Sequence, residues 1–177
     1  MSTLYLVPFG EIPAPVLSYL QRILGERFGY RVETRDRMPL PGQSFDSARG
    51  QYHSSLILGH LRKNPPSAAE KVLGIVDVDL YVPGLNFVFG EADLKGCCAL
   101  ISLARLRQEF YGLPADSGLF YQRMAKEAVH EIGHTLGLNH CPNVGCVMHF
   151  SNSLEDTDTK SSCLCPNCAK VLAKQTR

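Results

Sequence analysis

The chain has no long apolar run, no excess of either charge and no basic-flanked hydrophobic leader. None of its apolar stretches approaches the roughly 18 residues of a membrane helix, so a helical span is excluded. Lys and Arg total 18 against 17 Asp and Glu, a formal net charge of +1. That balance removes the broad electrostatic case for nucleic acid or an anionic membrane surface as partner. The N-terminus MSTLYLVPFG has no basic flank, and Pro8 and Gly10 interrupt its apolar residues. It is expected to form a first strand rather than a secretion signal. There is no internal repeat and no low-complexity segment. What remains is a globular composition, 45% hydrophobic and 20% charged, in 177 residues. That length suits one compact domain whose core needs no covalent staples.

Cysteine and histidine are abundant, and unevenly so. Five of the seven cysteines lie between Cys141 and Cys168. The stretch HEIGHTLGLNHCPNVGCVMHF, His130 to Phe150, holds four of the six histidines in 21 residues. A secreted disulfide framework spreads its cysteines more evenly; clustered Cys and His point to metal and to a reducing, cytoplasmic compartment.

Periodicity sets the frame around that stretch. Leu4 to Phe9 predicts a buried strand. Val16, Leu17, Leu20, Ile23, Leu24 and Phe28 form one helical face after Pro13 and Pro15, and Gly29 ends it. Tyr30 to Thr34 alternates as a strand, and a loop is expected from Arg35 to Gly50. Gln51 to Lys63 reads as a second helix, Val72 to Val76 as a strong strand, and LNFVFG and CCALISLARL as two more. Cys97 and Cys98 are expected in the core. Asp116 or Ser117 can cap a helix beginning near Gly118. Its apolar stripe of Tyr121, Ala125, Ala128, Val129, Ile132 and Leu136 leaves Glu127, His130, Glu131 and His134 on the other face. Strands and helices in this order imply a mixed sheet with covering helices.

His130 and His134 are four apart and share a helical face, so two imidazoles can reach one zinc. Glu131 sits beside the first of them, within reach of a water on the metal. A helix continued to residue 140 would carry it about 9 Å beyond His134. Gly137 can instead adopt a left-handed conformation, stop the helix and return His140 as a third ligand. Three protein ligands leave an open position, the mark of a catalytic zinc. A closed tetrahedral site is expected from Cys141, Cys146, Cys165 and Cys168. Cys163 repeats the C-x4-C spacing with Cys168 and keeps a second assignment open. Two zinc ions per chain are therefore expected. His149 is a candidate oxyanion donor, with a structural role as the competing reading.

The motif H-E-x-x-H-x-x-G-x-x-H followed by Met148 is the metzincin signature. Cysteine directly after the third histidine, then C-x4-C-x-M and a later C-x-x-C, resembles the archaemetzincins. RGQYHSSLIL, DVDLYVPGLNFVFGEA and ISLARLR also resemble that family's upstream segments. The resemblance covers most of the chain. It implies an α+β fold: an α/β-like N-terminal lobe, residues 1–137, with a mixed twisted sheet, backing helices and an active-site helix. A small C-terminal lobe, 138–177, would carry the Met-turn at Met148 and the four-cysteine zinc. It implies a zinc metallopeptidase in which Glu131 is general base to a zinc-bound water. A peptide or protein substrate would lie along an edge strand at Phe87–Phe89. Restricted access is expected of an unmasked peptidase, with the Arg35 to Gly50 loop as the gate. A catalytically idle metzincin fold, or a four-cysteine zinc module that only binds peptides or proteins, is the alternative.

Overall fold

The computed structural model describes residues 2–66 and 71–175. Along the chain run β1 (Thr3–Pro8), α1 (Ala14–Phe28), β2 (Arg31–Thr34), β3 (Phe45–Asp46), β4 (Gln51–His53), α2 (Ser54–Lys63) and β5 (Lys71–Val76). There follow β6 (Leu80–Tyr81), β7 (Gly90–Ala92), β8 (Cys98–Ser102), α3 (Ser117–Thr135), α4 (Leu154–Thr159) and α5 (Pro166–Gln175). No described helix is long and apolar enough to cross a membrane.

The main sheet has the order β2-β1-β5-β8-β7. Its first four strands are parallel and β7 runs antiparallel at the edge. Central parallel strands are covered on both faces, so they need continuous apolar runs. Period two then sorts each strand between two cores. Leu4, Leu6, Leu73, Ile75, Ala99 and Ile101 pack with Leu20 and Leu24 of α1 and with Met124, Ala128 and Ile132 of α3. Val7, Val72, Val76, Cys98 and Leu100 pack with Ile57, Leu58 and Leu61 of α2 on the opposite face. This is the mixed α+β sheet with covering helices expected from the element order.

Three boundaries differ from expectation. The helix anticipated from Gln51 begins only at Ser54, because Tyr52 and His53 pair with Leu80 and Tyr81 in a small sheet β3-β4-β6. The loop from Arg35 to Gly50 contains β3, a short 3-10 turn at Gly42–Ser44 and a bridge from Met38 to Phe9. The expected strand LNFVFG is displaced: the sheet edge is Gly90–Ala92, and within Phe87–Phe89 only Val88 makes a bridge, to Leu80. Side chains explain the displacement. The carbonyls of Leu85 and Asn86 accept hydrogen bonds from Arg49, and Asn86 also from Gln51, so they are lost to strand pairing.

The polar face of α3 is buried beneath the segment that begins with α4. Arg123 forms two 2.7 Å hydrogen bonds to the Asp158 carboxylate, and Lys126 Nζ donates to the carbonyls of Thr157 and Asp158. Lys160 Nζ lies 2.9 Å from Glu127 Oε1, with side-chain exposures of 0% and 3%. The same ammonium donates to the His149 carbonyl at 3.3 Å. Each buried charge therefore has a partner, the condition under which burial is tolerated. Lys160→Met leaves Glu127 in the interior without its cation and is expected to cost about 3–5 kcal/mol in urea denaturation. Adding Glu127→Leu should recover most of that loss, since an apolar pair of similar volume replaces a buried ion pair at little cost. Equal denaturation midpoints for the single and double variants would contradict this account.

Candidate active site

Helix α3 starts where the Asp116 carboxylate accepts a hydrogen bond from the Leu119 N–H at 2.9 Å. It ends at Thr135, and Gly137 takes φ +88°. A side chain at Gly137 would strain that left-handed turn. The Gly137 and Leu138 amides close onto the carbonyls of His134 and Gly133. The chain then reverses and returns His140 beside the helix, as the glycine spacing predicted.

His130, His134 and His140 converge, with one ring nitrogen from each within 4.8 Å of the others. The outward ring nitrogens are fixed first. His130 Nδ1 lies 2.8 Å from the Val147 carbonyl, and His134 Nδ1 lies 2.7 Å from the Leu138 carbonyl. A carbonyl only accepts, so each Nδ1 carries the proton and each Nε2 presents a lone pair. Those two Nε2 atoms face each other at 3.0 Å. Two facing lone pairs repel unless a cation lies between them. Two nitrogens on one tetrahedral zinc stand about 3.3 Å apart, given bonds of about 2.0–2.1 Å. The donor set therefore fits zinc. Burial holds His130 well below its ordinary pKa and lowers His134 and His140, with the Lys160 cation adding to the effect on each. Neutral imidazoles are the ligating form.

Glu131 is 5% exposed and lines a cleft of about 340 Å³ together with Phe87, Gly90, Glu127 and the three histidines. The cleft wall opposite is β7, and it approaches so closely that only glycine fits. A Cβ on Gly90 would lie 2.7 Å from Glu131 Oε1 and 2.6 Å from the Leu100 carbonyl. Beneath the histidines Met148 is wholly buried, and a Cβ on Gly133 would lie 2.5 Å from its sulfur. Met148 accepts the Cys141 N–H on its carbonyl at 2.9 Å, tying the floor to the residue after His140. The Phe150 ring stands 5.1 Å from that of His140.

A second group lies next door. The sulfurs of Cys141, Cys146, Cys165 and Cys168 all fall within 4.8 Å of one another. The Cys141–Cys165 separation is 3.8 Å. Four thiolates on zinc at about 2.3 Å give tetrahedral edges of about 3.8 Å, so this donor set also fits. The Cys165 amide points at the Cys146 sulfur at 3.3 Å. A hydrogen bond from the Cys168 backbone draws the Cys165 thiol down to about 7. Cys163 is exposed and outside the group, which decides between the two spacings left open by sequence. His149 turns its Nδ1 to the Cys141 carbonyl at 2.9 Å, a structural contact across the same turn.

A sequence model of peptidase family M54 matches residues 34–174. The chain belongs to that family, the archaemetzincins. It is 48% identical over 165 residues to the archaemetzincin of Methanocaldococcus jannaschii, an alignment covering 93% of this chain and 89% of the other. The crystal structure of the archaemetzincin from Methanopyrus kandleri superimposes with a TM-score of 0.88 at 39% identity, covering 99% of this chain and 95% of that one. For the Archaeoglobus fulgidus archaemetzincin the TM-score is 0.82 at 38% identity, with 95% and 98% covered. As an archaemetzincin, the chain is a zinc metallopeptidase. The three histidines and four cysteines singled out from the sequence lie together in the fold, with Glu131 in the cleft beside the histidines. Sequence reasoning missed Lys160 and Gly90, because a lone lysine and a lone glycine far from the motif carry no local signal.

Burial is the first cause holding the Glu131 carboxyl well above its ordinary 4.5; the neighbouring Glu127 adds to it, Lys160 opposes, and Glu91 adds a smaller rise. A carboxyl raised on folding keeps a proton that the unfolded chain releases above pH 4.5, so it lowers stability as pH rises through that value. Glu131→Gln is therefore expected to stabilise the metal-free protein at pH 7 and to leave it unchanged at pH 3.5. Urea midpoints at the two pH values check this, and a difference of the same size at both would contradict it.

Proposed function

We propose that this archaemetzincin hydrolyses peptide bonds at the three-histidine site, with Glu131 as general base and proton carrier. The observation that carries the reading is the pair of protonated Nδ1 atoms turned outward, which leaves two Nε2 lone pairs facing across 3.0 Å. His130, His134 and His140 would hold the catalytic zinc and leave a position open to solvent. Zinc bound there supplies Lewis-acid polarisation of the scissile carbonyl and a lowered pKa for its coordinated water.

The protein's own groups do the rest. Glu131 is ionised when a dication sits beside it, because an opposite charge within a few ångströms offsets the burial penalty. Its carboxylate takes the proton of the attacking water and passes it to the leaving amine. Gly90 leaves the room that this carboxylate needs. Met148 forms the floor that keeps the imidazoles from sinking. The substrate is an extended peptide or protein segment laid beside Phe87–Phe89 and continuing along β7, an interpretation supported by the edge position of β7 and by the cleft lining. A net charge of +1 favours a peptide partner over nucleic acid or a membrane surface, and the gathered thiols suit a cytoplasmic location.

Cys141, Cys146, Cys165 and Cys168 would hold a second, structural zinc, giving two per chain. Because Cys141 follows His140 directly, that ion braces the turn presenting the third ligand. All four cysteines lie within a C-terminal lobe, 138–177, that follows the N-terminal lobe, 1–137, so binding energy at this site would contribute to folding of the C-terminal lobe.

Two experiments test this. Metal analysis of purified protein should find two zinc ions, with cleavage of a peptide library reduced at least about a thousandfold by Glu131→Ala, the scale of losing a general base plus its positioning. Cleavage that survives the substitution would sink the mechanism. Cys165→Ser should remove one zinc and lower the melting temperature, because metal binding energy at a structural site is folding energy. An unchanged melting curve would argue that the cysteine site braces nothing.

A further inference from the structure

No residue from 35 to 50 lines the cleft. The long loop therefore does not cover the site, yet its last side chain reaches the cleft wall from behind. Arg49 Nη2 donates to the carbonyls of Leu85 at 3.2 Å and Asn86 at 3.1 Å. Its Nε donates to Gln51 Oε1 at 2.9 Å, and its guanidinium lies 4.2 Å from the centre of the Tyr81 ring. Gln51 Nε2 donates in turn to the Asn86 carbonyl at 2.9 Å and to Asp79 at 3.0 Å. Asp79 takes both arms of Arg105 at 2.6 and 2.8 Å, and the Arg105 guanidinium stacks 4.3 Å from the Phe87 ring centre. Leu85 and Phe87 themselves line the cleft.

We infer that Arg49 is a positioning residue for substrate: through Leu85 and Asn86 it sets the height and twist at which Phe87–Phe89 meets an extended peptide. This rests on the peptidase reading above and deepens it. The physical ground is that Leu85–Phe89 has little sheet pairing of its own, only the Val88 bridge to Leu80 and the Phe89 carbonyl that accepts from the Ser102 amide. A segment so weakly paired keeps one conformation only if side chains fix its carbonyls. Arg49 does so with Nη2 on both carbonyls, Nε on Gln51 and its plane on Tyr81; a lysine ammonium can reach the carbonyls but has no second arm for Gln51 and no plane to stack. The contribution is to binding, since Arg49, Gln51, Asp79 and Arg105 bond to one another and to the rim and not to Glu131 or the three histidines. It also scales with substrate length, because only a peptide that runs along the rim senses the rim's position.

The test compares wild type with Arg49→Ala and Arg49→Lys on a blocked dipeptide and on an octapeptide sharing its scissile bond. Losing a charged hydrogen-bonding fork is expected to raise the octapeptide KM about tenfold, with kcat within about twofold. The dipeptide should change less than about twofold in either constant, and Arg49→Lys should restore only part of the octapeptide loss. A fall in kcat shared by both substrates would mean general loosening and would overturn the inference, as would an octapeptide KM that does not move. Calorimetric binding of the octapeptide to the zinc-loaded Glu131→Gln protein, with and without Arg49→Ala, separates the two readings. If wild type cleaves nothing, the peptidase mechanism fails by itself. Equal affinity of those two proteins for the octapeptide, or none for either, removes the role of Arg49.

Discussion

Two imidazole nitrogens face each other at 3.0 Å with their lone pairs inward, because a main-chain carbonyl holds the proton on the far side of each ring. That arrangement is repulsive in an empty protein and favourable around a dication. Most of the surrounding structure serves to maintain it. The Val147 carbonyl that fixes His130 belongs to the residue before Met148, and the Leu138 carbonyl that fixes His134 follows the glycine turn. The two tautomers are thus set by the same two pieces of chain that bring Met148 and His140 to the site.

Helix α3 can carry this load because it is anchored on both sides. Its apolar stripe closes the core beneath the main sheet, through Met124, Ala128 and Ile132. Its polar face would otherwise put Arg123, Lys126 and Glu127 in the interior unpaired. The segment from Leu154 to Lys160 meets each of them with an opposite charge or a carbonyl. Buried ion pairs add little net stability, but breaking one is costly, so these pairs favour the alignment of α3 and the Leu154 to Lys160 segment that keeps them together. Here that alignment sets the helix relative to the strand of chain carrying Met148 and His149. Electrostatics and geometry thus act on one site, since the Lys160 ammonium both fixes the register and pushes protons off the histidines.

The cleft is narrow because glycine permits it. Gly90 lets β7 come within contact of Glu131, and Gly133 lets the Met148 sulfur rise against the helix. The upper rim beyond β7 is held by side chains instead of by a ladder, through Arg49, Gln51, Asp79 and Arg105. In this way the long loop before β4 and the cleft rim at Leu85, Asn86 and Phe87, distant in sequence, share one polar network.

Much of the site was legible in the amino-acid order. Ligand spacing along a helix is a local property, so His130, Glu131 and His134 were readable, and the left-handed turn at Gly137 followed from the need to return His140. The buried strands and the cap at Asp116 were readable for the same reason, since periodicity and capping act over a few residues. The start of α2, the displaced edge strand and helices α4 and α5 were not. Tyr52 and His53 left the helix because partners nearly thirty positions away completed a sheet. Spacing favoured Cys165 but left Cys163 open, and only the fold brought the one into the sulfur group and turned the other to solvent. The sequence by itself determined the candidate ligand types, the helix that carries two of them and the metal such a set suits, because each depends on neighbours along the chain. Tertiary structure alone decided the Lys160–Glu127 pair, the fit at Gly90 and the hold of Arg49 on the rim, because each is a contact between distant segments that leaves no periodic trace.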